Sequence, residues 1–370
     1  MNNNVKRWLA LVLALVMSLS LFACGQKQDD KQDNVQDDVQ ETATRVFTDS
    51  CGRQVTVPTE VRKVAVSGPL AQMVVFAIAP DKMVGVSNAW DETAKEYFDA
   101  KYLDLPLLGQ LYGGEGELNL ETLLAAAPDV VIDVGEPKGS IVEDMDALQE
   151  QTGIPFVHID AYLATMDETY AMLGDLLAMP NEAQGLADYC RATYDKMKAI
   201  ADSVDKANLL YITGDEGLNV IAQGSFHAEV IDLMANNLAV VAEPSSKGTG
   251  NEVDMEQILN WNPDVILFAP GSIYDTVADN ENWQTITAIK EGNYYEVPFG
   301  PYSWMGFPPS VQRLLGMQWM AAVLYPDAVD YGMYEAASAY FELFYHCELT
   351  EAQFAAMTAN SLPADAQAAA

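Results

Sequence analysis

Few side chains in this sequence belong to the types that do chemistry, and they do not lie close together. The 370 residues include 3 histidines and 4 cysteines. His158, His227 and His346 are far apart, and no Cys-x-x-Cys pair accompanies them. A zinc- or manganese-type centre needs several imidazoles and a carboxylate converging, so no resident metal is expected. No Gly-x-Ser-x-Gly surrounds Ser67 or Ser303. Gly109, Gly113, Gly114 and Gly116 form neither a dinucleotide fingerprint nor a phosphate loop with lysine. Secreted glycoside hydrolysis stays formally open, because a sequence cannot pair its many carboxylates. Binding is better provided for. The segment from Gly300 to Ser310 is rich in turn residues yet carries three aromatics, a combination that suits a large, flat or partly apolar ligand. Trp90, Tyr112, Tyr302 and Trp304 are the expected wall residues, with Ser67 and Phe226 on neighbouring loops. Each aromatic alone could equally be packing.

The elements that must position these residues read as an alternation of strands and helices. Val64–Val66 is a short strand, Ser67-Gly68-Pro69 breaks it, Leu70 to Ala77 has helical composition, and Met83–Val86 reads as a strand again. The second half begins similarly, with a strand over Leu209–Ile212, a Gly214–Gly217 turn, Val220-Ile221, and a helix from a Ser225 cap to Met234. A sharper repeat lies downstream. Asn119-Leu120-Glu121, then Pro128-Asp129-Val130-Val131-Ile132, matches Asp254-Met255-Glu256, then Pro263-Asp264-Val265-Ile266-Leu267. In both copies Asn or Asp can cap a helix, glutamate follows in its first turn, proline stops it, and a buried strand comes next. Between the halves, residues 166–204 are helical in composition, interrupted at Met179-Pro180-Asn181, with Asn181 as the expected cap of a long second piece. The expected fold class is α/β: two Rossmann-like lobes with mostly parallel sheets, joined by a long linker helix, with a ligand cleft between them. The expected domains are an N-terminal lobe over 46–165, a helical connector over 166–204 and a C-terminal lobe over 205–370.

Charge and the first residues set the compartment. With 19 basic and 54 acidic side chains the formal net charge is −35, which excludes a general nucleic-acid binder. Lys6 and Arg7 precede an apolar run from Trp8 to Ala23, short for a spanning helix and ordered like a secretory signal. Its end, Leu21-Phe22-Ala23-Cys24-Gly25, resembles the lipobox of bacterial lipoproteins, which implies a signal peptide over 1–23 and lipid on Cys24; an ordinary secretory signal is the alternative. Residues 24–45 are acidic and almost free of large apolar groups, hence a flexible tether. Cys51, Cys190 and Cys347 permit one disulfide or three buried thiols.

Together these features resemble the extracytoplasmic solute-binding lipoproteins of ABC importers, in the helix-linked class for ferric siderophores, haem and cobalamin. The matching segments are Phe47 to Arg53, Leu105-Pro106-Leu107-Leu108-Gly109, both Pro-Asp strands, Trp283 to Pro298, and Trp304 to Pro326. The resemblance implies no catalysis and no cofactor, a monomer anchored to the membrane on a cell surface or in a periplasm, and an ABC permease with its ATPase subunits as partners. It implies a ferric complex as ligand, with cobalamin or haem as alternatives; a lone His227 could then touch haem iron. It also implies that Glu121 and Glu256 dock to the permease, although acidic residues favour a helix's first turn in any case. Arg313 would meet the negative charge of a ferric complex, or else pair within its own helix.

Overall fold

The computed structural model describes residues 43–112 and 117–362. The expected signal peptide, Cys24 and all but the last residues of the expected tether lie outside them. Among the described residues no helix is long and apolar enough to cross a membrane.

Two α/β lobes are built on two sheets. In the first, β3 (Val64–Val66), β4 (Val130–Gly135) and β5 (Phe156–Asp160) run parallel in that order. In the second, β6 (Asn208–Thr213), β10 (Val265–Phe268) and β11 (Tyr294–Glu296) are parallel neighbours. Here the sheet departs from the parallel expectation on one side. β7 (Asn219–Val220) returns antiparallel to β6 through a turn whose Gly214 and Gly217 have φ of +77° and +68°, and β9 (Asn251–Glu252) pairs antiparallel with β7. A connection of only five residues after β6 can close a hairpin but not a parallel crossover. Met83–Val86 is no regular strand; it touches β3 and Leu107 through single bridges only.

Strand alternation explains how the lobes join. Val64, Val66, Ile132, Val157 and Ile159 point from the first sheet into one central core, and Leu209, Tyr211 and Leu267 enter the same core from the second. The opposite faces feed separate outer cores: Ala65, Val131 and Phe156 in one, Leu210, Ile212, Ile266 and Phe268 in the other. A side-chain period of two sends alternate residues to opposite faces. Helices Met166–Leu177 and Pro180–Ser203 fill the space between the sheets, the latter through Leu186, Cys190, Met197 and Ile200. Pro180 rather than Asn181 opens the long helix, since a residue without an amide hydrogen suits the first turn. Cys51, Cys190 and Cys347 are free thiols.

Two boundaries differ from the sequence expectation. Thr44 and Arg45 belong to β1 (Thr44–Thr48), which pairs antiparallel with β2 (Gln54–Pro58). The hairpin turn is held by Asp49, which accepts from the amides of Cys51 and Arg53 at 3.1 and 2.9 Å and pairs with the Arg53 guanidinium at 3.0 Å. The C-terminal residues also do not stay with the second lobe. His346 Nε2 lies 3.1 Å from the Phe76 carbonyl, and Tyr345 and Phe341 pack against Phe98 and Tyr97 of the first.

Both repeat helices form as expected. Asn119 accepts from the Thr122 amide at 3.0 Å to cap Leu120–Ala126, and Asp254 accepts from Gln257 at 2.8 Å to cap Met255–Trp261. Each ends on a left-handed residue, Ala127 or Asn262, just before the proline. Ser225 makes no such cap; a 3-10 turn, Phe226–Ala228, precedes the Glu229–Met234 helix instead.

Candidate ligand-binding site

A cavity of about 1010 Å³ lies between the lobes, at the carboxyl ends of strands where α/β sheets usually take ligands. From the first lobe it is lined by Leu70, Gln72 and Met73 of the Pro69–Ile78 helix, by Asn88, Ala89 and Asp91, and by Gln110 and Tyr112. From the second come His227, the Lys247–Thr249 turn, Tyr302, Phe307, Pro308 and Pro309. The helix starts where it does because Gly68 and Pro69 break β3 and Pro69 takes the first helical turn. Its companion loop is set by Gln72, whose side-chain oxygen accepts from the amides of Ser87 and Asn88 at 2.8 and 3.2 Å. The approach to Gln110 and Tyr112 turns at Gly109, whose φ of +75° and contact with the Glu117 carbonyl leave no room for a side chain.

Of the expected wall residues, the structure brings Tyr112 and Tyr302 onto this cavity. The Tyr112 phenol donates to Asp144 at 2.7 Å, and burial together with that bond holds its pKa far above the ordinary range. Tyr302 accepts from the Asp91 amide at 3.4 Å across the lobes, and burial pushes it up to about 12. Both are neutral phenols at physiological pH. Trp90 and Trp304 are core residues instead. Trp90 packs edge-on against Phe76 and Phe98 and donates from Nε1 to the Tyr102 carbonyl at 2.7 Å, while Trp304 is completely buried. Their aromatic surface is worth more against other apolar groups than against solvent. The Gly214–Gly217 turn closes the β6–β7 hairpin and does not line the cavity.

Three further residues named from the sequence also stand behind the wall. Ser67 is buried and donates to Asp133, which in turn contacts His158 Nδ1 at 2.7 Å; the other ring nitrogen meets Asp160 at 3.0 Å. Burial pulls the His158 pKa down, but the two carboxylates together raise it above its ordinary value. The Arg313 guanidinium carbon lies over the Phe226 ring, 4.8 Å from the ring centroid. Arg313 itself is fully buried, paired with Glu229 at 2.8 Å and donating to the Phe226 carbonyl at 2.8 Å. Glu229 also accepts from the Leu163 amide of the first lobe at 3.1 Å. The link to the first lobe is thus made by Glu229, while the arginine pairs within the second lobe and does not line the cavity.

Phe307 was not singled out, yet it is 41% exposed on the cavity with a φ of +59°. A bulky side chain in the left-handed region is strained, and such strain concentrates at functional sites. Only its place among turn residues hinted at this. Its ring lies 6.5 Å from that of His227. Burial and the nearby Arg313 charge push the His227 pKa down to about 4, so this imidazole is neutral at physiological pH. His227 binds its proton in the unfolded chain near pH 6.5 but in the folded chain only near 4. Stability should therefore be lost as pH falls through that window, by on the order of 3 kcal/mol. Urea unfolding at pH 7.5 and 4.5 checks this: His227→Asn should show a smaller drop than the native chain, and equal drops would contradict it. His158, with its raised value, contributes with the opposite sign and is not lost over that range.

Glu121 and Glu256 project from the two repeat helices, both exposed and without a hydrogen-bond or ion-pair partner among the described residues. Three residues on, and so on the same helix face, stand Leu124 and Leu259, exposed by 50% and 37%. Among the described residues no group of three or more His, Cys, Asp or Glu side chains is placed to hold a metal ion.

The model of the periplasmic binding protein family matches residues 64–300, more than half of the chain and both walls of the cavity up to Gly300. The chain belongs to that family. The molybdate-binding protein MolA of Haemophilus influenzae is 24% identical, over 82% of this chain and 91% of its own. An uncharacterised ABC transporter substrate-binding lipoprotein of Bacillus subtilis, YvrC, is also 24% identical, over 86% and 96%. Among solved structures, an ABC transporter solute-binding protein of Sulfurospirillum deleyianum superposes with a TM-score of 0.78 at 26% identity, covering 85% of this chain and 98% of that one. The protein is the extracytoplasmic substrate-binding component of an ABC transporter, with permease and ATPase as its partners. It is not an enzyme, and the hydrolase alternative falls.

Proposed function

We propose that this receptor captures an iron complex of the ferric siderophore type and delivers it to its permease, acting as a monomer held to the membrane by lipid on Cys24. The cavity of about 1010 Å³, walled by Leu70, Met73, Tyr112, Tyr302 and Phe307, carries this reading. A volume of that order suits a bulky organic ligand. An oxyanion such as molybdate is instead gripped by several charged or amide donors at close range. Glu121 and Glu256 are the docking residues in this reading, each with an exposed leucine beside it for the permease surface. A corrinoid, and after it haem, is the second reading, favoured by the neutral imidazole of His227 on the cavity wall, which could reach a metal axially. Tryptophan-fluorescence titration against ferric siderophores, haem and cobalamin tests both. Saturable one-to-one quenching by ferric siderophores at micromolar affinity or better is expected. Saturation by cobalamin or haem alone would replace the first reading with the second, and no response to any would remove both.

A further inference from the structure

The charges around the cavity restrict its cargo further than its size does. Among the described residues, the ionic groups on the lining are one carboxylate, Asp91, and one ammonium, Lys247. Asp91 is partly engaged, accepting from the Thr93 amide and hydroxyl at 2.8 and 2.7 Å. Lys247 is exposed and has no ion-pair partner among the described residues. His227, Tyr112 and Tyr302 are uncharged at neutral pH. The first turn of the Pro69–Ile78 helix adds about half a positive charge. Arg313, which the resemblance offered as a partner for a ligand's negative charge, is buried behind the wall and already paired with Glu229. Just beyond the lining, Lys138 and Glu136 act on His227 with opposite sign. The local balance is thus close to zero, inside a molecule whose formal charge is −35. A multiply negative complex entering here would lose hydration with Lys247 as the one lining cation among the described residues to offset several charges, and the surrounding field would repel it.

We infer that the cargo is a large complex of zero or slightly positive charge, of the hydroxamate type if it is a ferric siderophore. This rests on the proposed reading of the cavity as the site of a bulky metal complex. Triply negative ferric tris-catecholates, haem with its propionates, and molybdate are then poor ligands.

Calorimetric titration of the full-length protein against an uncharged ferric tris-hydroxamate, a ferric tris-catecholate, cyanocobalamin, haemin and sodium molybdate tests the inference. The uncharged hydroxamate should bind at least 100-fold more tightly than the catecholate, with an affinity nearly independent of salt. A catecholate bound as tightly as the hydroxamate, or more so, would overturn the charge inference and leave the siderophore reading standing. Binding of cyanocobalamin alone would do the reverse, since that ligand is uncharged but carries no iron. Binding of molybdate or haemin alone would remove both. A variant keeps the test independent of any one ligand. Thr249→Lys places a new ammonium on an exposed part of the lining. It should raise the ratio of catecholate to hydroxamate affinity about tenfold. Equal effects on the two would contradict a role for charge.

Discussion

Replacing Arg313 by alanine is expected to cost about 3–5 kcal/mol of stability while leaving the cavity's affinity unaltered in the molecules that remain folded. Removing one partner of a buried pair leaves the other desolvated and unmatched. Here Glu229 would keep the Leu163 amide as a partner but lose the guanidinium. The Phe226 carbonyl and ring would lose their cation as well. Urea denaturation gives the stability, and titration with the cargo gives the affinity. The double change Arg313→Met with Glu229→Leu should recover much of the loss, because a hydrophobic pair of similar volume avoids the desolvation cost. A stable Arg313→Ala protein with weakened binding would return the arginine to the ligand.

Changing Glu121 and Glu256 together to alanine is expected to abolish uptake, by at least 100-fold in initial rate, with cargo affinity within twofold of the native chain. The glutamates sit on exposed helix starts outside the cavity lining. Each single change should give an intermediate loss, since one lobe would still be gripped. The thermodynamic cost to the fold is small, about 0.3–1 kcal/mol for each lost first-turn acid. Uptake in cells expressing the variant, paired with titration of the purified protein, separates transport from capture. Normal uptake by the double variant would end the docking assignment.

How much of this was legible beforehand depended on whether the determinant was local. The two repeat helices could be read from sequence because cap, first-turn acid and terminating proline act within a few residues of one another. The strands β3, β4, β6 and β10 could be placed from their short apolar runs, but such runs do not say which residue faces which core. Two-residue strands such as β7 and β9 carry too little periodicity to be recognised, so the antiparallel side of the second sheet was missed. Residue type misled at Trp90 and Trp304, where turn-rich surroundings suggested a wall and tertiary packing provides a core. Arg313 was ambiguous for the same reason: its partner Glu229 is far away in the chain, and nothing near either residue announces the pair. Phe307 escaped notice because a positive φ at a non-glycine position leaves no mark in composition.

The central core, shared by the inner faces of both sheets, bears on the traffic between receptor and permease. Pulling the lobes far apart would bring Val66, Ile159, Tyr211 and Leu314 into water, at about 25 cal/mol for each square ångström of apolar surface exposed. In the proposed docking mode, empty and loaded receptor would therefore differ little in outline and would present the same two outer helices to the permease. Unloaded copies would then compete with loaded ones for one landing place, and surplus receptor would act as a competitive brake on uptake. The stoichiometry of receptor to permease, and not only the strength of capture, would then govern how fast a scarce nutrient is brought in.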